Sequence, residues 1–204
     1  MCPFRILILV FVPILFTAAP PVQAEDGAMT GQPQIKTNAQ LTAGQQTALR
    51  KSVTDVKTDT DRLGSMLNTM AKVSPADREN AWRDVHDTIA RLKTNSMNLR
   101  EHTSALRAKN LKRTEWASTE NDFNEARRKL ETIRKSYEIL ASESKIQAEA
   151  TTAGTTNEEI NARRSELESK FKAGEQARNS DYNILISIIK TMNDELGVFS
   201  KAMM

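Results

Sequence analysis

The chain has 204 residues, with 29 basic and 26 acidic side chains, 5% aromatic residues and a single cysteine, Cys2. So slight a positive surplus is not the signature of a nucleic-acid binder. One cysteine, placed second in the chain, rules out an internal disulfide, and with the N-terminus removed it rules out thiol chemistry as well.

Residues 1–24 read as a cleavable signal peptide. Arg5 supplies a basic start, residues 6–16 are apolar apart from Pro13, and Val22-Gln23-Ala24 offers small residues at the −3 and −1 positions of a cleavage site. The apolar run is shorter than the ~20 residues that span a bilayer. No cysteine follows it, so a lipid anchor is not expected. Export to the periplasm or the extracellular space is therefore expected. Cleavage after Ala24 leaves 180 residues, enough for one domain, with 28 basic residues against 26 acidic ones. No second long apolar run follows, so the mature chain is expected to be soluble or peripheral. Residues 25–40 carry Gly27, Gly31 and Pro33 among polar residues, without a periodic apolar face, and read as a flexible leader.

From residue 41 to 204 the composition is rich in Glu, Lys, Arg, Ala, Leu and Thr, and the apolar residues recur at 3-4 spacing. That pattern predicts a single all-α domain with helices at about 42–72, 75–112, 119–150 and 157–203. Thr42-Ala43-Gly44-Gln45 has the form of a capping box, in which Thr42 accepts from the Gln45 amide while Gln45 reaches back. The stripe of the first helix is Leu49, Val53, Val56, Thr60, Leu63, Leu67 and Met70. Ser74 as N-cap and Pro75 at the first position open the second. Its stripe is Trp82, Val85, Ile89, Leu92, Ser96, Leu99, Thr103 and Leu106. A phase slip near residues 113–118 sets off the third helix, expected to start at Ser118 or Thr119, with Phe123, Ala126, Leu130, Ile133, Tyr137, Leu140 and Ser144 on its stripe. One bent helix covering both is the alternative. The fourth opens with a capping box at Thr156 and has the most apolar stripe: Leu185, Ile188, Met192, Leu196 and Phe199, widened by Ile184, Ile186, Ile189 and Val198. A helix apolar on more than one face needs neighbours on more than one side. The expected fold is an elongated up-down-up-down four-helix bundle of coiled-coil character, with an extended helical hairpin or rod as the alternative. Polar or small residues at Thr60, Ser96, Thr103, Ser144, Gly174 and Arg178 interrupt the stripes. Such positions set register or line an internal site.

No catalytic constellation emerges: there is no Gly-x-Ser-x-Gly, no phosphate loop and no nucleophilic cysteine. No enzymatic activity is expected. His86 and His102 lie about 160° apart around one helix and cannot share an ion. Asp84 and Asp87 flank His86 on other faces. Met66, Met70, Met97 and Met192 could in principle pair with a histidine on haem iron, but methionines at stripe spacing fill cores. No metal, haem or other cofactor is expected. Lys109, Lys112 and Arg113 gather at the predicted end of the second helix. They form a candidate interaction surface for acidic lipid or phosphate; alternatively they complement the helix dipole, the commoner role for such cations.

Three functions fit this inventory. The first is an exported non-enzymatic bundle acting by protein–protein interaction, as adaptor, spacer or assembly factor, with self-association plausible and the partner undefined. The second rests on a resemblance: Leu41-Thr42-Ala43-Gly44-Gln45 resembles the Leu-Thr-x-x-Gln helix-start motif of the Spy/CpxP type, and Val73-Ser74-Pro75-Ala76-Asp77 loosely resembles a second copy. The resemblance covers about ten residues and implies a periplasmic holdase-type chaperone. The third is a membrane-active secreted protein using residues 182–199, a stretch that reads more readily as the packed centre of the bundle.

Overall fold

The computed structural model describes residues 40–153 and 158–203. The signal segment, the leader up to residue 39 and the capping residues expected at 156–157 lie outside the described residues. Four helices follow in order: α1 (Ala43–Met70), α2 (Glu79–Ser104), α3 (Arg113–Ala153) and α4 (Glu158–Ala202). No strand occurs among the described residues. At 1.5 Å per residue α1 and α2 are roughly 40 Å long, and α3 and α4 roughly 60 to 70 Å.

The capping box at the start of α1 forms as its sequence requires. The Gln45 amide donates to Thr42 Oγ1 (3.2 Å), and the Thr42 amide donates to Gln45 Oε1 (3.0 Å). The α1–α2 junction differs from expectation. Pro75–Arg78 is a 3-10 turn rather than the first turn of α2, and the Ser74 hydroxyl bonds the Asp77 carboxylate (2.6 Å) instead of a backbone amide.

The larger difference lies between α2 and α3. Helix α2 ends at Ser104, tightens into a 3-10 turn at Ala105–Ala108 and gives way to a link at 109–112. Helix α3 therefore starts at Arg113, and Ser118 and Thr119 lie within it. The cause is burial. Leu106, Leu111 and Trp116 are five residues apart, so a continuous helix would turn each about 140° from the last. All three are buried, which a continuous helix could not achieve. The break lets Leu111 fold under the bundle, where its amide donates to the Ala202 carbonyl at the end of α4 (2.6 Å).

Chain direction alternates, as the up-down-up-down pattern demands. Helix α1 lies beside α2 and α3, and α4 lies beside α2 and α3. Cross-helix pairs fix the register: Lys57–Asp122 and Asp61–Lys129 run α1 parallel to α3, and His86–Asp181 and Thr103–Glu195 run α2 parallel to α4. Two antiparallel hairpins thus pack side by side, and the 109–112 link crosses the diagonal of the bundle.

The predicted stripes of α1 and α2 are buried throughout, from Leu49 to Met70 and from Trp82 to Leu106. In α3 the stripe extends a heptad upstream to Trp116, which meets Phe199 edge-on at 5.9 Å. In α4 Leu185, Ile188, Ile189, Met192 and Phe199 are buried, Leu196 is half-buried and Ile186 is exposed. Each fully buried Leu, Ile or Phe stabilises the fold by about 1.5–3 kcal/mol before chain entropy is set against it. No helix among the described residues is long and apolar enough to cross a membrane.

Candidate functional site

Lys109, Lys112 and Arg113 stand together at one end of the bundle, but not where a helix-dipole role would put them. Helix α2 has already ended; Lys109 has extended backbone, and Lys112 sits in the link. Arg113 opens α3, at the positive end of that helix, where a cation is disfavoured. The dipole reading therefore fails for Arg113. Across residues 40–50, 101–120 and 198–203, which include Glu120 bonded to Ser200 (3.3 Å), there are six basic side chains (Arg50, Arg107, Lys109, Lys112, Arg113, Lys201) and three acidic ones (Glu101, Glu115, Glu120). That surplus of three equals the net charge of the whole chain, so the remainder is neutral. Lys112 reaches Glu115 at 3.5 Å, and Lys109 donates to the Gln40 carbonyl (3.3 Å). Among the described residues Arg107, Lys109, Arg113 and Lys201 have no carboxylate within salt-bridge distance. Arg50 lies over the Trp116 ring at 4.5 Å.

Midway along, the interior becomes polar. Asp181 of α4 is buried, with its Oδ1 2.8 Å from His86 Nδ1 of α2 and the Tyr137 hydroxyl of α3 at 3.5 Å from its Oδ2. Tyr137 also donates to the Arg178 carbonyl (3.1 Å). Desolvation raises the Asp181 carboxyl above its ordinary range, opposed by the bond to His86. Burial likewise raises the Tyr137 hydroxyl, helped by the Asp181 charge. A second such layer joins Thr103 to Glu195 (2.5 Å), with Arg100 at 3.6 Å. A third joins Asp59 to Asn95 (2.8 Å) and Arg91 (3.4 Å). Asp181 and Glu195 fall in phase with Leu185, Ile188, Met192 and Phe199, and that spacing is the signal that reveals them; their charge conceals it. The two histidines are separate, since His102 bonds Ser52 (2.6 Å). Among the described residues no three His, Cys, Asp or Glu side chains gather as a metal-holding group.

The polar stripe positions divide into two kinds. Thr60 and Ser96 bond carbonyls of their own helix. Ser144 instead accepts from the Trp82 indole (3.3 Å), and Gly174 and Arg178 form one unit. A side-chain carbon on Gly174 would lie 3.1 Å from Arg178 Nη1, so the bare glycine makes room for the guanidinium. Arg178 is 6% exposed, its guanidinium 5.5 Å from the Trp82 ring, and it lines a groove of about 340 Å3 between α3 and α4.

In architecture this is an all-α protein, a four-helix bundle with buried polar layers. The chain matches no family model, no curated protein and no solved structure.

Proposed function

We propose that the protein is an exported, non-enzymatic helical bundle that works by binding another protein, and that its cationic end docks on an acidic face of that partner. The observation that carries this reading is the charge surplus at the end bearing Lys109, Lys112 and Arg113, on a chain otherwise close to neutral. Packing does not require these side chains, and neither the helix dipole nor local ion pairing accounts for them as a group. Complementary charge speeds encounter and selects partners more than it tightens binding. Residues 182–199 support this reading over membrane insertion, because most of their apolar side chains are taken up by the bundle core.

The test is in-cell crosslinking of the exported protein with mass spectrometry, run beside the triple variant Lys109→Glu, Lys112→Glu, Arg113→Glu. One dominant partner with an acidic face, lost in the variant, is expected. A smear of many unrelated proteins would point to a holdase instead, and self-links alone would overturn docking on a partner.

A further inference from the structure

The link between the two hairpins is broken against its own local preference. No glycine or proline occurs from residue 76 to residue 153. Around the link, Ala105-Leu106-Arg107-Ala108-Lys109-Asn110-Leu111-Lys112 consists of strong helix formers apart from Asn110. Yet the chain leaves the helix here, with Lys109 at φ −120° and ψ 147°. None of the described non-glycine residues has a positive φ, so turning the link into helix asks for rotations between ordinary regions alone. Tertiary contacts therefore hold the break. Among the described residues two long-range bonds do so: the Leu111 amide to the Ala202 carbonyl (2.6 Å) and Lys109 Nζ to the Gln40 carbonyl (3.3 Å). Burial of Leu111, 6% exposed, is the third hold.

The hairpins are otherwise tied helix to helix. Lys57–Asp122 (2.6 Å) and Asp61–Lys129 (2.7 Å) join α1 to α3, and His86–Asp181 (2.8 Å) and Thr103–Glu195 (2.5 Å) join α2 to α4. None of these contacts requires the two hairpins to belong to one chain.

We propose that a second copy of this chain is a partner, and that the two copies exchange hairpins. The link straightens, residues 79–153 run as one helix of roughly 110 Å, and each α1–α2 hairpin packs on the α3–α4 hairpin of the other copy. Every tie between hairpins is remade across chains, and the contacts of the link are given up. In the straight helix Leu106 and Trp116 lie about 80° apart, while Leu111 lies about 140° from each and is released. The two links meet at the two-fold axis and bring together two sets of Lys109, Lys112 and Arg113. Added salt is therefore expected to raise the share of dimer. The exchange does not rest on the docking reading.

The test unfolds equal amounts of heavy-isotope-labelled and unlabelled protein, refolds them together over a concentration series and separates the products by size. The dimer is treated with a carbodiimide, which joins a lysine to a carboxylate it touches. Mass spectrometry then reads the Lys57–Asp122 and Lys129–Asp61 products. In an exchanged dimer both pairs span two chains, so about half of these products carry one heavy and one light partner. In a dimer of intact bundles each such product carries a single label. Leu111→Ala removes an anchor that the closed chain alone uses, and is expected to raise the dimer association constant about tenfold or more. Asn110→Pro forbids the straight helix, while Lys109 before it already has the extended backbone that a proline demands. That variant is expected to fold as a monomer and form no dimer. Absence of dimer in both wild type and Leu111→Ala, products of a single label, or a dimer undiminished in Asn110→Pro would overturn the proposal.

Discussion

Two buried arginines near the α1–α2 turn show how differently one residue type serves this bundle. Arg78, 4% exposed, donates through Nε to the carbonyls of Met70 (2.9 Å) and Val73 (3.0 Å), and through Nη1 to Glu143 of α3 (2.5 Å). It closes the turn, satisfies carbonyls that the end of α1 leaves open and fastens the first hairpin to the second. Arg178, 6% exposed, makes no comparable bond. Adjacent residues link them: Arg78 reaches α3, and Glu79 faces Arg178 on α4 at 3.9 Å. The lesson is that burial of a cation does not by itself report stability. Arg78 is tied to two backbone carbonyls and a carboxylate, whereas Arg178 has only the Glu79 carboxylate at 3.9 Å and the Trp82 ring at 5.5 Å beside its guanidinium.

Breaking the closed member of the pair should have the largest effect. Arg78→Ala removes the bonds to a buried and a part-buried carbonyl and severs the ion pair to Glu143, and a loss of about 3 kcal/mol in urea unfolding is expected. Arg178→Met replaces a loosely paired charge by an apolar chain of similar reach, and a change between zero and a gain of about 1 kcal/mol is expected in the same assay. Equal losses in the two variants would erase the distinction. Gly174→Ala should raise stability by about 0.5 kcal/mol, the helix preference being partly offset by the crowded guanidinium.

The smallest effects are set by pH. Burial raises the Asp181 carboxyl, so wild type is favoured below its ordinary value of 3.8 and loses that stability as pH rises through the higher folded value. Asp181→Asn carries no such dependence, so its melting temperature should gain on wild type as pH rises through that window, and the gap should close in acid. Glu125 has the opposite sign. Hydrogen bonds from Lys129 and then Lys57 hold it down to about 2, so its contribution is present above 4.5 and is lost as pH falls toward 2. That network is exposed, and added salt should flatten its part of the profile.

Much of the fold could be read from residue spacing. The stripes of α1 and α2 and the capping box at Thr42 are local features, set within one or two turns of helix. Trp116 was legible too, because it precedes Phe123 by seven residues as Phe123 precedes Leu130, yet a helix start placed at Ser118 excludes it. The site was less legible. Arg178 and Gly174 stand out as polar or small stripe positions, but nothing in their spacing shows that one fills the space the other vacates against Trp82 and Glu79. Asp181 is harder still, since its partners His86 and Tyr137 lie 95 and 44 residues away in the chain.

The sequence by itself determined that the chain forms long amphipathic helices and which face of each is buried, because a 3-4 repeat acts through the geometry of one helix. Tertiary structure alone decided which helices are neighbours, that the 109–112 link crosses the diagonal, and that Lys109 and Lys112 stand in that link while Arg113 opens α3. An apolar stripe specifies burial without naming what covers it. The partner is chosen by packing all four helices at once, and by the few polar side chains that must find one another inside.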